Sequence, residues 1–136
     1  MTHFCKSEDE LNALLAEHSY STETIAGIDA WDVRKLWTAA ESLPVQVAPV
    51  DKFNVAVQKW INFETEVAPD GRRIAQFDVD HFRRIKEADL SYPIILSATG
   101  HIMDGMHRLI KCYLTGQPVQ FVQFTITPEP MLRYTR

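Results

Sequence analysis

Hydrophobic positions along the chain change their spacing several times, and each change marks a predicted element. In residues 7–18 (SEDELNALLAEH) Leu11, Leu14 and Leu15 fall on one helical face. Ser7 precedes them as N-cap, with Glu10 three residues on, the spacing of a capping box. A second helix is predicted over residues 29–43, with Trp31, Leu36, Trp37 and Ala40 as its apolar stripe and Pro44 as its stop. The next stretch, VQVAPV at 45–50, alternates and is rich in β-branched residues, which predicts a strand. Residues 51–77 read as helix or as extended chain, around Val55, Val57 and the run from Trp60 to Phe63. Pro69-Asp70-Gly71 is a turn. Asp78 is then placed as the cap of a short helix that packs Val79, Phe82 and Ile85 and turns Arg83, Arg84 and Lys86 elsewhere.

The last 45 residues carry the sharpest pattern. YPIILSA at 92–98 has the composition of a buried strand, Thr99-Gly100 turns the chain, and HIM at 101–103 is a second extended piece ending at Asp104-Gly105. MHRLIKCYLT at 106–115 reads as a helix with Leu109, Ile110, Tyr113 and Leu114 inward and Gly116 closing it. VQFVQFTI at 119–126 is a further strand. The fold class is therefore α+β. The predicted organisation is one domain over 1–136, with a helical extension at 1–44, a core at 45–126 and a tail at 127–136. That tail, TPEPMLRYTR after Ile126, is either a strap or a mobile end.

Bulk properties narrow the picture modestly. A chain of 136 residues with 46% hydrophobic and 24% charged residues can bury a real core. A net charge of -4 weighs against a general nucleic-acid coat, which needs clustered Lys and Arg. Cys5 and Cys112 show no disulfide or Cys-x-x-Cys spacing. No apolar run approaches the ~18 residues of a membrane span, and the start MTHFCKSEDEL lacks a signal-peptide core. A soluble, reduced, cytoplasmic protein is the expectation, with a protein partner or a dimer left open.

The candidate chemistry sits at Asp104-Gly105-Met106-His107-Arg108. Gly105 at a strand-to-helix junction permits backbone geometry that a β-carbon would crowd. The first N–H groups of the following helix have no intrahelical partner and, with the helix dipole, favour a phosphate or carboxylate. Arg108 adds a planar bidentate donor in that first turn, His107 lies beside it, and Lys111 follows by three residues. Gly105, Met106, His107, Arg108 and Lys111 are thus the candidate ligand-binding residues. Asp104 reads two ways. It is the N-cap of the helix, with Arg108 paired to a carboxylate, or it holds a Mg²⁺ that offsets its repulsion of a bound phosphate. A transition-metal group of His101, Asp104 and His107 is a further possibility by residue type, though its spacing matches no zinc signature.

The stretch YPIILSATGHIMDGMHRLIKCYLTGQPVQFVQF resembles the ParB/sulfiredoxin superfamily. The resemblance lies in a Pro-Ile strand, a turn with Gly, a second strand, Gly-x-x-Arg opening a helix, and a closing strand. It covers roughly residues 45–126 and is best over 92–124. It implies a small mixed sheet with packed helices and a nucleotide bound through its phosphates at the helix start. Partition proteins of that superfamily bind CTP, sulfiredoxins use ATP, and some relatives phosphorylate free serine. ATP, ADP or CTP is accordingly the implied ligand.

Departures from the family pattern are as informative. Met106 stands where sulfiredoxins carry a reactive Cys, and Cys112 is expected to face inward, so sulfinic-acid reduction is not expected. Partition proteins show Gly-Glu-Arg-Arg where this chain has Gly105-Met106-His107-Arg108, and they continue into a helix-turn-helix region. The Asp-Gly-x-His-Arg form is closer to the serine-kinase-like branch, in which Asp104, His107 and a carboxylate base such as Glu64 (or Glu66) would be catalytic. His81 and Arg84 would line such a site or simply form a solvated helix face.

Three function classes follow. One is a small Mg²⁺-dependent kinase or NTPase, and another is a non-catalytic sensor of a phosphate ligand. The third, a nuclease-like or DNA-binding relative using Arg72, Arg73, Arg83 and Arg84, is the one the net charge disfavours.

Overall fold

Three strands lie within the first 32 residues. β1 (His3–Cys5) leads into α1 (Glu8–Leu14), and β2 (Ser19–Thr24) and β3 (Gly27–Asp32) pair ahead of α2 (Val33–Ala40). Next come β4 (Gln46–Ala48), a 3-10 turn over Val50–Phe53, α3 (Asn54–Glu64), β5 (Thr65–Val67), β6 (Arg73–Ala75) and α4 (Val79–Glu87). The chain finishes with β7 (Ile94–Leu96), β8 (Ile102–Asp104), α5 (Met106–Thr115), β9 (Val119–Gln123) and β10 (Leu132–Thr135). This computed structural model describes residues 1–67, 69–71, 73–75 and 79–136, with side chains at 1–62, 69–71 and 80–136. The architecture is mixed α+β. Among the described residues, no helix is long and apolar enough to cross a membrane. The predicted cap at Asp78 falls outside the described residues.

The chain forms two compact units, each drawn from separate stretches of sequence. The first holds Met1–Pro44, Ile95–Asp104 and Val122–Arg136. Its sheet has the order β1-β10-β3-β2, with β1 parallel to β10 and the other pairs antiparallel. Leu132 faces Ala30, and Tyr20 faces Trp31 across the β2–β3 ladder, their rings 5.5 Å apart. Val33, Leu36 and Ala40 of α2 pack with Trp31, Ile95, Met103, Val122 and Phe124 in one buried cluster. Within this unit Ile95 and Leu96 pair with Asp104 and Ile102, and the Phe124 N–H donates to the Leu96 carbonyl at 3.0 Å.

Two expectations for this unit are corrected. Residues 1–44 are not a helical extension, because β3 replaces the first turns of the predicted helix at 29–43. Gly27–Asp32 has a hydrogen-bonded neighbour on each side, β2 and β10, and those ladders outweigh the helical spacing of its apolar residues. α2 begins where Asp32 accepts the Arg34 N–H at 3.0 Å as an N-cap. Residues 132–135 are neither strap nor mobile tail but an inner strand, β10.

The second unit holds Val45–Ile94 and Gly105–Phe121. β4 runs antiparallel to β9, Gln46 opposite Phe121 and Ala48 opposite Val119. β5 and β6 form a separate antiparallel hairpin, Thr65 opposite Ala75. Phe53, Val57, Ile85, Ile94, Leu109, Ile110, Cys112, Val119 and Phe121 are buried. Phe53 meets Phe121 edge-on with ring centres 5.8 Å apart. The buried face of α5 is Leu109, Ile110 and Cys112. Tyr113 and Leu114, expected inward, are exposed. On α4, Ile85 is buried while Phe82, also expected to pack, is exposed.

Candidate functional site

Gly105 adopts φ 104°, ψ 21° as the N-cap of α5, a left-handed conformation in which most residues are strained. A β-carbon there would lie 2.6 Å from Ile94 Cγ2 and 3.1 Å from Arg108 Nη1. The start of α5 is therefore pressed against the first residue of β7, and the closeness depends on glycine. Having no side chain, Gly105 supplies no acceptor to the first turn of the helix. Asp104 is thus not the N-cap; that place belongs to Gly105.

Arg108 and Lys111 are both engaged with backbone. Arg108 Nη1 donates to the Pro93 carbonyl at 2.9 Å, which ties α5 to the residue before β7. Gly-x-x-Arg therefore has a packing meaning here: the glycine clears space into which the guanidinium three residues later reaches. Lys111 Nζ donates to the carbonyls of Lys86 and Ala88 at 2.9 and 2.8 Å. It caps the end of α4, where the helix dipole favours a cation. The expectation that Lys111 shares an anion-binding face with Arg108 is revised accordingly.

His107, in the first turn of α5, meets His81 of α4. His81 Nδ1 lies 2.8 Å from His107 Nε2, the rings tilted 34° with centres 5.1 Å apart. An N···N hydrogen bond of this length needs one ring to donate and the other to accept through an unprotonated nitrogen. The two facing nitrogens therefore share a single proton. Both residues were legible as candidates; their contact, 26 positions apart in the chain, was not.

Beyond α4, Asp89 accepts from both the hydroxyl and the N–H of Ser91. These bonds, the hydroxyl first, hold its carboxyl below the usual range, with smaller help from Lys111 and Arg108. Cys112 is buried and donates to the Pro118 carbonyl at 3.6 Å. Burial pushes its thiol up against the opposing influence of Lys111, so it lacks the thiolate character of a reactive cysteine.

Asp104 belongs to the first unit, and there Trp37 Nε1 donates to its Oδ2 at 2.7 Å. No sequence signal links these residues, which stand 67 positions apart. Of the possible transition-metal group, His101 and Asp104 belong to the first unit and His107 to the second. Glu64 ends α3, but its side chain, like those of Glu66, Arg72 and Arg73, lies outside the described residues. Arg84 is exposed, and Arg83 pairs with Asp80 at 3.3 Å on the surface of α4. Compared with known proteins, the chain matches no family model, no curated protein and no solved structure.

Proposed function

We propose that the turn opening α5 seats the phosphate group of a nucleotide, in a domain of ParB/sulfiredoxin type. One observation carries the reading: the N-cap of α5 is a left-handed glycine with no capping side chain, followed two residues on by a hydrogen-bonded histidine pair. The N–H groups that open a helix, with its dipole, are suited to an anion. The histidine pair beside it brings ring nitrogens that can donate to an anion. Arg108, fixed to Pro93, holds the turn in place and adds its positive charge beside the seat. The order of β7, β8, α5 and β9 supports the family assignment, as it is the order the superfamily pattern implies.

The reading is of binding, with ATP, ADP and CTP as the candidate ligands. Mg²⁺ accompanies such a ligand on its phosphate oxygens, with one or two carboxylates and several waters. Asp104, the carboxylate the sequence offers for such an ion, belongs to the first unit, where Trp37 holds it. Phosphoryl transfer would require a base, and Glu64 is the proposed candidate.

Thermal unfolding of the purified chain with ATP, ADP, CTP or GTP, each with and without Mg²⁺, tests the proposal. A ligand at a hundred times its Kd adds about 2.7 kcal/mol, seen as a rise of several degrees in Tm. That rise is expected for at least one nucleotide and should shrink in His107→Gln, which leaves the Arg108–Pro93 brace intact. No rise with any nucleotide, or an equal rise in His107→Gln, would remove the basis for the seat. Release of inorganic phosphate in the same samples distinguishes turnover from binding.

A further inference from the structure

A different group of side chains, in the first unit, has the composition of a metal centre. β1 places His3 and Cys5 two residues apart in an extended segment, so both project from the same face. The chain then turns into α1, whose N-cap Ser7 accepts the Glu10 N–H at 3.1 Å. The reciprocal half of a capping box would send the Glu10 carboxylate to Ser7. Here Oε2 accepts the Lys6 N–H instead, one residue earlier and towards β1. Oε1 lies 3.4 Å from His3 Nε2. One donor atom each from His3, Cys5 and Glu10 then falls within 4.8 Å of the other two.

We propose that His3, Cys5 and Glu10 bind a divalent ion of the zinc class. Three donors around a tetrahedral ion with bonds of about 2.0–2.3 Å stand roughly 3.5 Å from one another. The observed spacing, at most 4.8 Å, lies within about 1.3 Å of that arrangement. The donor set selects the metal: a thiolate and an imidazole disfavour Mg²⁺ and Ca²⁺, while nitrogen, sulfur and carboxylate together suit Zn²⁺ and Co²⁺. Cys5 is buried and His3 exposed, so the ion has both a shielded soft ligand and a path from solvent. As the sulfur–metal bond forms, the thiol proton passes to solvent.

Three protein ligands leave the fourth tetrahedral position to water or a small exogenous ligand. His3 also lines a cleft of about 230 Å³ together with Ser19, Trp31 and Asp32, which is large enough for such a ligand. A surface His–Glu contact without an ion contributes little and gives no reason for a thiol to converge on it.

Titration of Co²⁺ into the full chain, free of any affinity tag, is the deciding experiment. The expected result is one equivalent bound, with a thiolate-to-cobalt charge-transfer band in the near ultraviolet and visible bands of four-coordinate intensity, all displaced by Zn²⁺. Cys5→Ser should abolish the charge-transfer band. His3→Ala and Glu10→Gln should each weaken binding at least tenfold, while Cys112→Ser leaves the spectrum unchanged. His3 is exposed, so its variant remains informative if Cys5→Ser fails to fold. Absence of the band in the unaltered chain, its loss in Cys112→Ser, or undiminished affinity in His3→Ala would overturn the assignment.

Discussion

Gly105 and Gly116 bracket α5, and both hold positive φ, yet they do different work. At Gly116 an added β-carbon would meet no atom within 4 Å, so the glycine serves the left-handed C-terminal turn alone. At Gly105 the same backbone demand is joined by contact with Ile94 and the Arg108 guanidinium. Gly116→Ala should therefore cost about 1 kcal/mol, and Gly105→Ala more, about 1–3 kcal/mol from strain before the clash is added. Urea denaturation of the two variants checks the ranking, and equal midpoints would argue against close packing at Gly105. The glycines were legible because turn chemistry is local. The contact with Ile94 was not, since it joins residues 11 apart through the fold. Trp37 makes the same point: its spacing suggested an apolar stripe, and the structure instead gives its indole N–H to Asp104.

Elements with strong local punctuation fall where the sequence places them. α5 spans Met106–Thr115 as predicted, because a glycine marks each end. α1 follows Ser7 as predicted, though Leu11 is its buried residue and Leu14 is exposed. Elements whose identity depends on a partner were misread, as at Gly27–Asp32. α4 depends on a neighbour in another way, through the Lys111 ammonium on its last carbonyls. Lys111→Met keeps the stem and removes those bonds, and it should cost about 1 kcal/mol. Hydrogen exchange is expected to quicken in α4 and stay unchanged in α1. Unchanged exchange in α4 would mean that the cap contributes nothing.

Each unit is completed by chain that is distant in sequence. The first unit closes only when β10 arrives to pair with both β1 and β3, and Thr2 Oγ1 donates to the Pro130 carbonyl at 2.7 Å across 128 positions. Such pairings require loop closure before they return any stabilisation, which slows folding. Removal of residues 127–136 strips β1 and β3 of their shared neighbour and deletes the Pro128 carbonyl that accepts from Trp31 Nε1 at 2.8 Å. Amide protection in β3 should then collapse. Protection that survives would show that the β2–β3 hairpin stands without β10. Caps, glycines and β-branched runs act over a few residues, so the sequence by itself determined α1, α5, the strands near β7 and β9, and the glycine turn at the candidate anion seat. Only the tertiary structure decided that residues 27–32 and 132–135 are strands and that His81 meets His107. Those outcomes depend on hydrogen-bond partners and packing supplied from elsewhere in the chain, and such contacts outweigh the local preferences that a linear reading detects.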